Sequence, residues 1–133
     1  MHRDEALFAN EAFYLAFAEG DLAAMDRLWA SRPDVVCVHP GWPALTDRDI
    51  VMESWARILG NPNQPDVVVH AVETVVLGEA ALVVCYEQMG ETVMTASNVF
   101  VAGPDGPRMV AHHAGLCSDP PGLPAVTAPS FDA

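Results

Sequence analysis

Basic residues are the scarcest class in this chain: six Lys/Arg stand against eighteen Asp/Glu in 133 residues, a formal charge of −12. A surface of that sign repels phosphate backbones and anionic lipid headgroups, so neither nucleic acid nor a membrane is expected as a partner. Charged residues make up only 18% of the chain and hydrophobic ones 51%, the balance of a folded domain and not of a disordered one. No apolar run approaches the ~20 residues of a membrane-spanning helix. The start, Met1-His2-Arg3-Asp4-Glu5, lacks the basic and apolar stretches of a signal peptide, which predicts a cytoplasmic protein. The three cysteines, Cys37, Cys85 and Cys117, are odd in number and unpaired in spacing. They read as reduced, buried thiols and not as a disulfide framework or a zinc knuckle. Phosphate loops, dinucleotide fingerprints and nucleophile elbows are missing. No H-x-H or H-x-x-x-H spacing occurs, and His112 and His113, adjacent on a strand, would face opposite sides. Neither a metal nor a cofactor is expected.

What is present begins with helix. Ala6–Glu19 contains no Pro or Gly, and Leu7, Phe8, Tyr14, Leu15 and Ala18 recur at helical spacing, widened by Phe13 and Phe17. Asp4 and Glu5 put negative charge where a helix N-terminus favours it. Gly20 is a C-terminal stop and Asp21 the cap of a short second helix carrying Leu22, Met25, Leu28 and Trp29, which Arg32-Pro33 ends. Asp34–Val38 reads as a short buried strand, and His39-Pro40-Gly41-Trp42-Pro43 as a tight irregular loop. Thr46 and Asp49 form a capping box for a third helix with Ile50, Val51, Trp55, Ile58 and Leu59 inward, stopped by Gly60-Asn61-Pro62.

Past Pro65 the pattern becomes strand. Asp66–Leu77, Ala80–Gln88, Thr92–Ala102 and Arg108–Cys117 are rich in Val. Their separators, Gly78-Glu79, Gly90-Glu91 and Gly103-Pro104-Asp105-Gly106, are turn chemistry, which predicts an antiparallel meander. Three helices packed on a strongly curved antiparallel sheet make an α+β fold, with a pocket between sheet and long helix as the default ligand site. Residues 1–117 are expected to form one domain and 118–133, with Pro120, Pro121, Pro124 and Pro129, an extended tail.

The strings Phe13-Tyr14-Leu15-Ala16-Phe17-Ala18-Glu19-Gly20-Asp21-Leu22, Val38-His39-Pro40-Gly41-Trp42, Glu53-Ser54-Trp55 and His112-His113-Ala114-Gly115, in this order of elements, resemble the NTF2-like superfamily in its SnoaL-like branch. The resemblance spans roughly residues 5 to 117, in line with a one-domain length, and implies the cone-shaped NTF2-like fold. The superfamily includes ketosteroid isomerases, which use an Asp base with an oxyanion hole of a Tyr and a protonated Asp. By that resemblance His39, before Pro40, stands where the base lies, and Asn98, before Phe100, where the oxyanion Asp lies. Phe13 takes the place of the Tyr, with Tyr14 about 100° round the helix.

His39 can move a proton near neutral pH, and Asn98 can donate to a developing oxyanion. If Asn98 faces the cavity, strand alternation brings Met94, Ala96 and Phe100 with it. The matching inward set on the last strand is Met109, Ala111, His113 and Gly115, which leaves His112 outside. Tyr86 is the inward choice on the Ala80–Gln88 strand. The expected catalytic groups are therefore His39, Asn98 and His113, lined by Phe13, Tyr14, Phe17, Trp29, Trp42, Trp55, Tyr86 and Phe100. Each also has a structural reading: a loop cap for His39, a satisfied core group for His113 and Asn98, packing for the tryptophans. The functional expectation is a SnoaL-like pocket binding a small, mostly apolar or aromatic molecule, with isomerase, cyclase or hydrolase-type acid–base chemistry. The alternative is a non-catalytic binding or dimerisation module. Apolar residues on the sheet's outer face predict a homodimer.

Overall fold

A computed structural model describes residues 1–122. The first helix, α1 (Arg3–Glu19), is capped where Glu5 Oε1 accepts the His2 backbone N–H at 2.9 Å. It ends at Gly20, whose φ of 65° and approach to the Leu59 carbonyl, 3.3 Å from where a Cβ would sit, both favour glycine. The face it buries is Ala6, Ala9, Asn10, Phe13, Tyr14, Ala16 and Phe17, while Phe8 and Leu15 are 75% and 57% exposed. The stripe expected from Phe8 and Leu15 is thus turned aside: small Ala6 and Ala9 let the helix approach the sheet, and the aromatic pair Phe13 and Phe17 fills the core.

Asp21 caps α2 (Leu22–Leu28) by accepting from Ala24 N–H at 3.0 Å. The chain then extends through Trp29 and bonds to the last strand, Ala30 N–H to Met109 O at 2.9 Å. Next come β1 (Val36–Val38) and α3 (Arg48–Leu59). The cap of α3 is Asp47, which accepts from Asp49 N–H at 2.9 Å, and not the expected Thr46. Val51, Ser54 and Trp55 face inward, whereas Ile50 is 50% exposed.

Four strands follow, β2 (Val68–Leu77), β3 (Ala80–Met89), β4 (Thr92–Gly103) and β5 (Gly106–Leu116), paired antiparallel in sequence order. β1 adds to the far edge, parallel to β5, so the sheet order is β1-β5-β4-β3-β2. The fold is the expected α+β arrangement, with helices against one face of a curved, unclosed sheet. Its core lies between α1, α3 and that face and is dominated by Trp29, Trp55, Tyr14, Phe13, Phe100, Met25 and Met109.

Two features of register set the site. The two-residue turn Gly90-Glu91 pairs Met89 with Thr92, and from there Glu87 falls opposite Met94, Cys85 opposite Ala96 and Val83 opposite Asn98. On β5 the pairing runs from Phe100↔Met109 to Val99↔Ala111, leaving Val110 as the extra residue of a β-bulge. Among the described residues no helix is long and apolar enough to cross a membrane. Cys37 and Cys85 are buried free thiols and Cys117 is partly exposed. The expected tail lies, from residue 123 on, outside the described residues.

Candidate active site

The bulge decides which histidine enters the interior. Met109 is fully buried on the helix-facing side, and uninterrupted alternation would put Ala111 and His113 beside it. The extra Val110 shifts the phase by one residue, so His112 and Ala114 are buried and His113 is exposed. The expectation for His113 as an inward catalytic group, with His112 outside, is therefore reversed. Tyr86 is also displaced: it pairs with Thr95 and His70 on the face away from α1, while Glu87 beside it is 1% exposed on the inner face.

Around Glu87 and His112 the inner face carries a continuous polar chain. The Tyr14 hydroxyl donates to Glu87 Oε2 at 2.6 Å. Asn98, on the inner face with Met94, Ala96 and Phe100, spends its amide protons on Asn10 Oδ1 at 2.8 Å and Tyr14 Oη at 3.2 Å. That leaves no amide proton for a bound oxygen. The Asn98 carbonyl, so oriented, accepts from His112 Nδ1–H at 2.6 Å. With its proton on Nδ1, His112 presents an unprotonated Nε2, 4.0 Å from Glu87 Oε2.

His39 is built in the same way. The loop after β1 turns through a Trp42 N–H to His39 O bond of 2.9 Å and a positive φ at Gly41, burying the imidazole to 3% exposure. Ser54 Oγ donates to Val51 O at 2.6 Å, so at the 2.9 Å contact with His39 Nε2 it accepts. The His39 proton therefore sits on Nε2, and Nδ1 is left with its lone pair. Trp55 packs edge-on against His39 (4.8 Å between centroids) and closes on His112 (5.8 Å). Phe13 backs His112 at 4.9 Å, and the two imidazoles stand 6.3 Å apart.

Burial fixes the charge states. It raises the Glu87 carboxyl from 4.5 to about 7, with the Tyr14 hydrogen bond pulling the other way. It lowers His39 to about 4. His112 falls to about 3, through burial first and then the neighbouring His39 and His113. The 4.0 Å contact of His112 with Glu87 is accordingly not an ion pair, because the ring is neutral, while the acid is about half protonated at pH 7 and mostly protonated below it. Tyr14 is raised well above its usual value by burial and by Glu87, and so keeps its proton.

These groups open into a cavity of about 400 Å³ lined by His39, Glu87 and His112, by the apolar Phe17, Trp42, Ile58, Met89 and Met94, and by Arg57 and Gln64 at α3 and the segment after it. The volume suits a small ligand. Phe17 and Trp42 line it, while Phe13, Tyr14 and Trp55 stand directly behind its polar wall and Trp29 and Phe100 belong to the core. A second cleft, at α2 and α3, holds Asp26, Arg32, Asp47, Arg48 and Asp49. Its arginines are tied to Asp34 and Asp26, and it offers no buried acid–base group. Among the described residues no cluster of three or more His, Cys, Asp or Glu is arranged to hold a metal ion.

Sequence reasoning missed Glu87, Asn10, Ser54 and the inward turn of His112. Glu87 was within reach, because a two-residue turn at Gly90-Glu91 fixes its register against Met94. The bulge at Val110 has no comparable signal.

Comparison with known proteins agrees with this architecture. The model of the SnoaL-like domain family matches residues 7–117. A provisionally named dehydratase of the NTF2-like family from Streptomyces avermitilis is 33% identical, with a TM-score of 0.80 over 87% of this chain and 96% of its own. A provisionally named calcium/calmodulin-dependent protein kinase type II association domain from Thiobacillus denitrificans is 30% identical, with a TM-score of 0.73 over 83% of this chain and 93% of its own. The hub of that kinase from S. rosetta, 17% identical with a TM-score of 0.69 over 86% of this chain and 95% of its own, shares the fold. No curated protein matches the sequence.

Proposed function

The chain belongs to the family of SnoaL-like domains, and from that premise we propose that it binds a small, mostly apolar molecule in the cavity and moves a proton on it. The observation that carries this reading is the pairing of an unprotonated His112 Nε2 with the Glu87 carboxyl, held at about 7, in the same wall. A base must be unprotonated and an acid protonated at the same pH, and desolvation sets both here. His112 Nε2 takes a proton from a carbon of the bound molecule. Glu87 gives its proton to the oxygen that gains charge or departs as water. The products are an imidazolium and a carboxylate, and transfer of the proton from His112 to Glu87 restores the pair. Dehydration has this form, and the similarity to a protein named as a dehydratase supports it; in isomerisation the imidazolium instead returns its proton to a second carbon while the carboxylate takes back the proton of the enol oxygen. His39, with its lone pair on Nδ1, is the second base available to the same ligand.

Asn98 and Ser54 act through the histidines as positioning residues, since each holds one imidazole in a single tautomer. The reading is tested by incubating the protein with small aryl ketones in deuterated water and following exchange of the hydrogens beside the carbonyl. Exchange that His112→Gln abolishes while ketone binding persists supports proton transfer. Binding without exchange by the native protein rejects it.

A second reading, an association module, draws on a separate observation. Val75, Leu82, Val99, Ala111 and Val36 form one apolar row across all five strands on the outer sheet face, in direct register. Val75 and Val36 are 50% and 41% exposed. Such a row favours a homodimer packed sheet to sheet, and a relative named as an association domain supports it. The two readings are compatible, since the cavity opens on the opposite face.

A further inference from the structure

The cavity has one feature that proton transfer does not use. Among the described residues that line it, Arg57 alone carries a permanent positive charge; it stands in the last turn of α3, in a chain that carries no lysine and six arginines in all. Arg32 and Arg48 are spent on Asp34 and Asp26, and Arg108 donates to the Pro107 carbonyl. Arg57 forms no ion pair among the described residues, not even with Glu53 one helical turn earlier, the spacing at which such pairs usually form. The remaining wall offers no positive charge, because His39 and His112 are neutral. An unpaired guanidinium beside Phe17, Trp42, Ile58, Met89 and Met94 meets the requirements of a molecule with one anionic end and an apolar body.

We infer that Arg57 is a specificity residue that selects small carboxylic acids, binding the carboxylate at the cavity mouth while the apolar body extends toward His112 and Glu87. This rests on the reading of the cavity as a small-molecule site. The ligand is a monoanion for an electrostatic reason. One guanidinium neutralises one negative charge, and a phosphate dianion would leave a residual charge inside a protein of net charge −12. Fixing the ligand at one end also orders the other against the acid and base, which is how remote binding groups raise the rate of a reaction.

The test compares cinnamate with cinnamamide, equal in shape and different in charge, by calorimetric titration at low ionic strength and pH 6.5. The native protein is expected to bind the acid roughly fivefold to tenfold more tightly than the amide, the scale of one exposed charge-assisted contact. That preference should shrink as salt is added. Arg57→Gln is expected to abolish the preference by weakening the acid alone, and Arg57→Lys to restore part of it. Equal affinities for acid and amide, or an unchanged preference in Arg57→Gln, overturn the inference and leave the small-molecule cavity standing. Failure of both compounds to bind the native protein overturns the cavity reading and this inference with it.

Discussion

Replacing Glu87 by glutamine isolates the group on which the site depends. The native carboxyl titrates near 7, against an ordinary value of 4.5 when the chain is unfolded. A group whose proton is held more tightly in the folded state contributes stability below its unfolded value and loses it as pH rises through the folded one. Moving from 4.5 to about 7, at ~1.4 kcal/mol per pH unit, gives a loss of about 3 kcal/mol between acid and mildly alkaline solution. Glutamine has the shape of the protonated acid, still accepts from the Tyr14 hydroxyl and never ionises, so Glu87→Gln is spared that loss. His39 and His112 act in the opposite sense, costing stability as pH falls below 6.5 toward about 4 and 3. They do so equally in both proteins and cancel in the comparison. Urea denaturation of the two proteins from pH 5 to pH 9 should show the stability difference moving in favour of the variant, by about 3 kcal/mol at most, with most of the change complete by pH 8. A difference that stays constant with pH refutes the protonated Glu87 and the acid–base pair built on it.

The neighbouring histidines give a sharp contrast. His112→Ala leaves the Asn98 carbonyl buried without its donor and opens a cavity, at a cost of about 2 kcal/mol by denaturation, whereas His113→Ala on the exposed face should cost less than about 0.5 kcal/mol. Ser54→Ala removes the acceptor that fixes His39; it should destabilise by about 1 kcal/mol and release the ring from a single tautomer, visible in its nitrogen shifts. Tyr14→Phe deletes the hydrogen bond that holds Glu87 down, so the pH at which Glu87 ionises should rise, measured by carbon NMR of its carboxyl. Leu82→Asp, in the middle of the outer apolar row, should yield a monomer in light scattering where the native protein is a dimer; a native monomer contradicts the sheet-to-sheet association.

Much of the fold was legible because its signals are local. Gly20 and Asp21 stop one helix and cap the next, and the turn residues at Gly78-Glu79 and Gly90-Glu91 delimit the strands. Asn98 could be placed on the inner face because β4 alternates without interruption from Met94 to Phe100. The site was harder to read, because it depends on phase and not on composition. A single extra residue, Val110, exchanges His113 for His112, and bulges arise from tertiary packing more than from any residue at the bulge. Tyr86 drew notice as an aromatic, although the two-residue turn already turned Glu87 inward. The sequence does not settle the orientation of α1, because Phe8 and Leu15 fit a helical stripe as well as the buried face does, and only contact with the sheet separates the two.

Two buried imidazoles are neutral and held in opposite tautomers, so that each keeps one unprotonated nitrogen, Nε2 of His112 and, beside the Cys37 thiol at 3.9 Å, Nδ1 of His39. Heteronuclear NMR of the imidazole nitrogens at neutral pH tests this without knowledge of the ligand. The proton of His112 is expected on Nδ1 and that of His39 on Nε2, with both rings still neutral at pH 5.5. An imidazolium signal at neutral pH, or a proton on His112 Nε2, contradicts it.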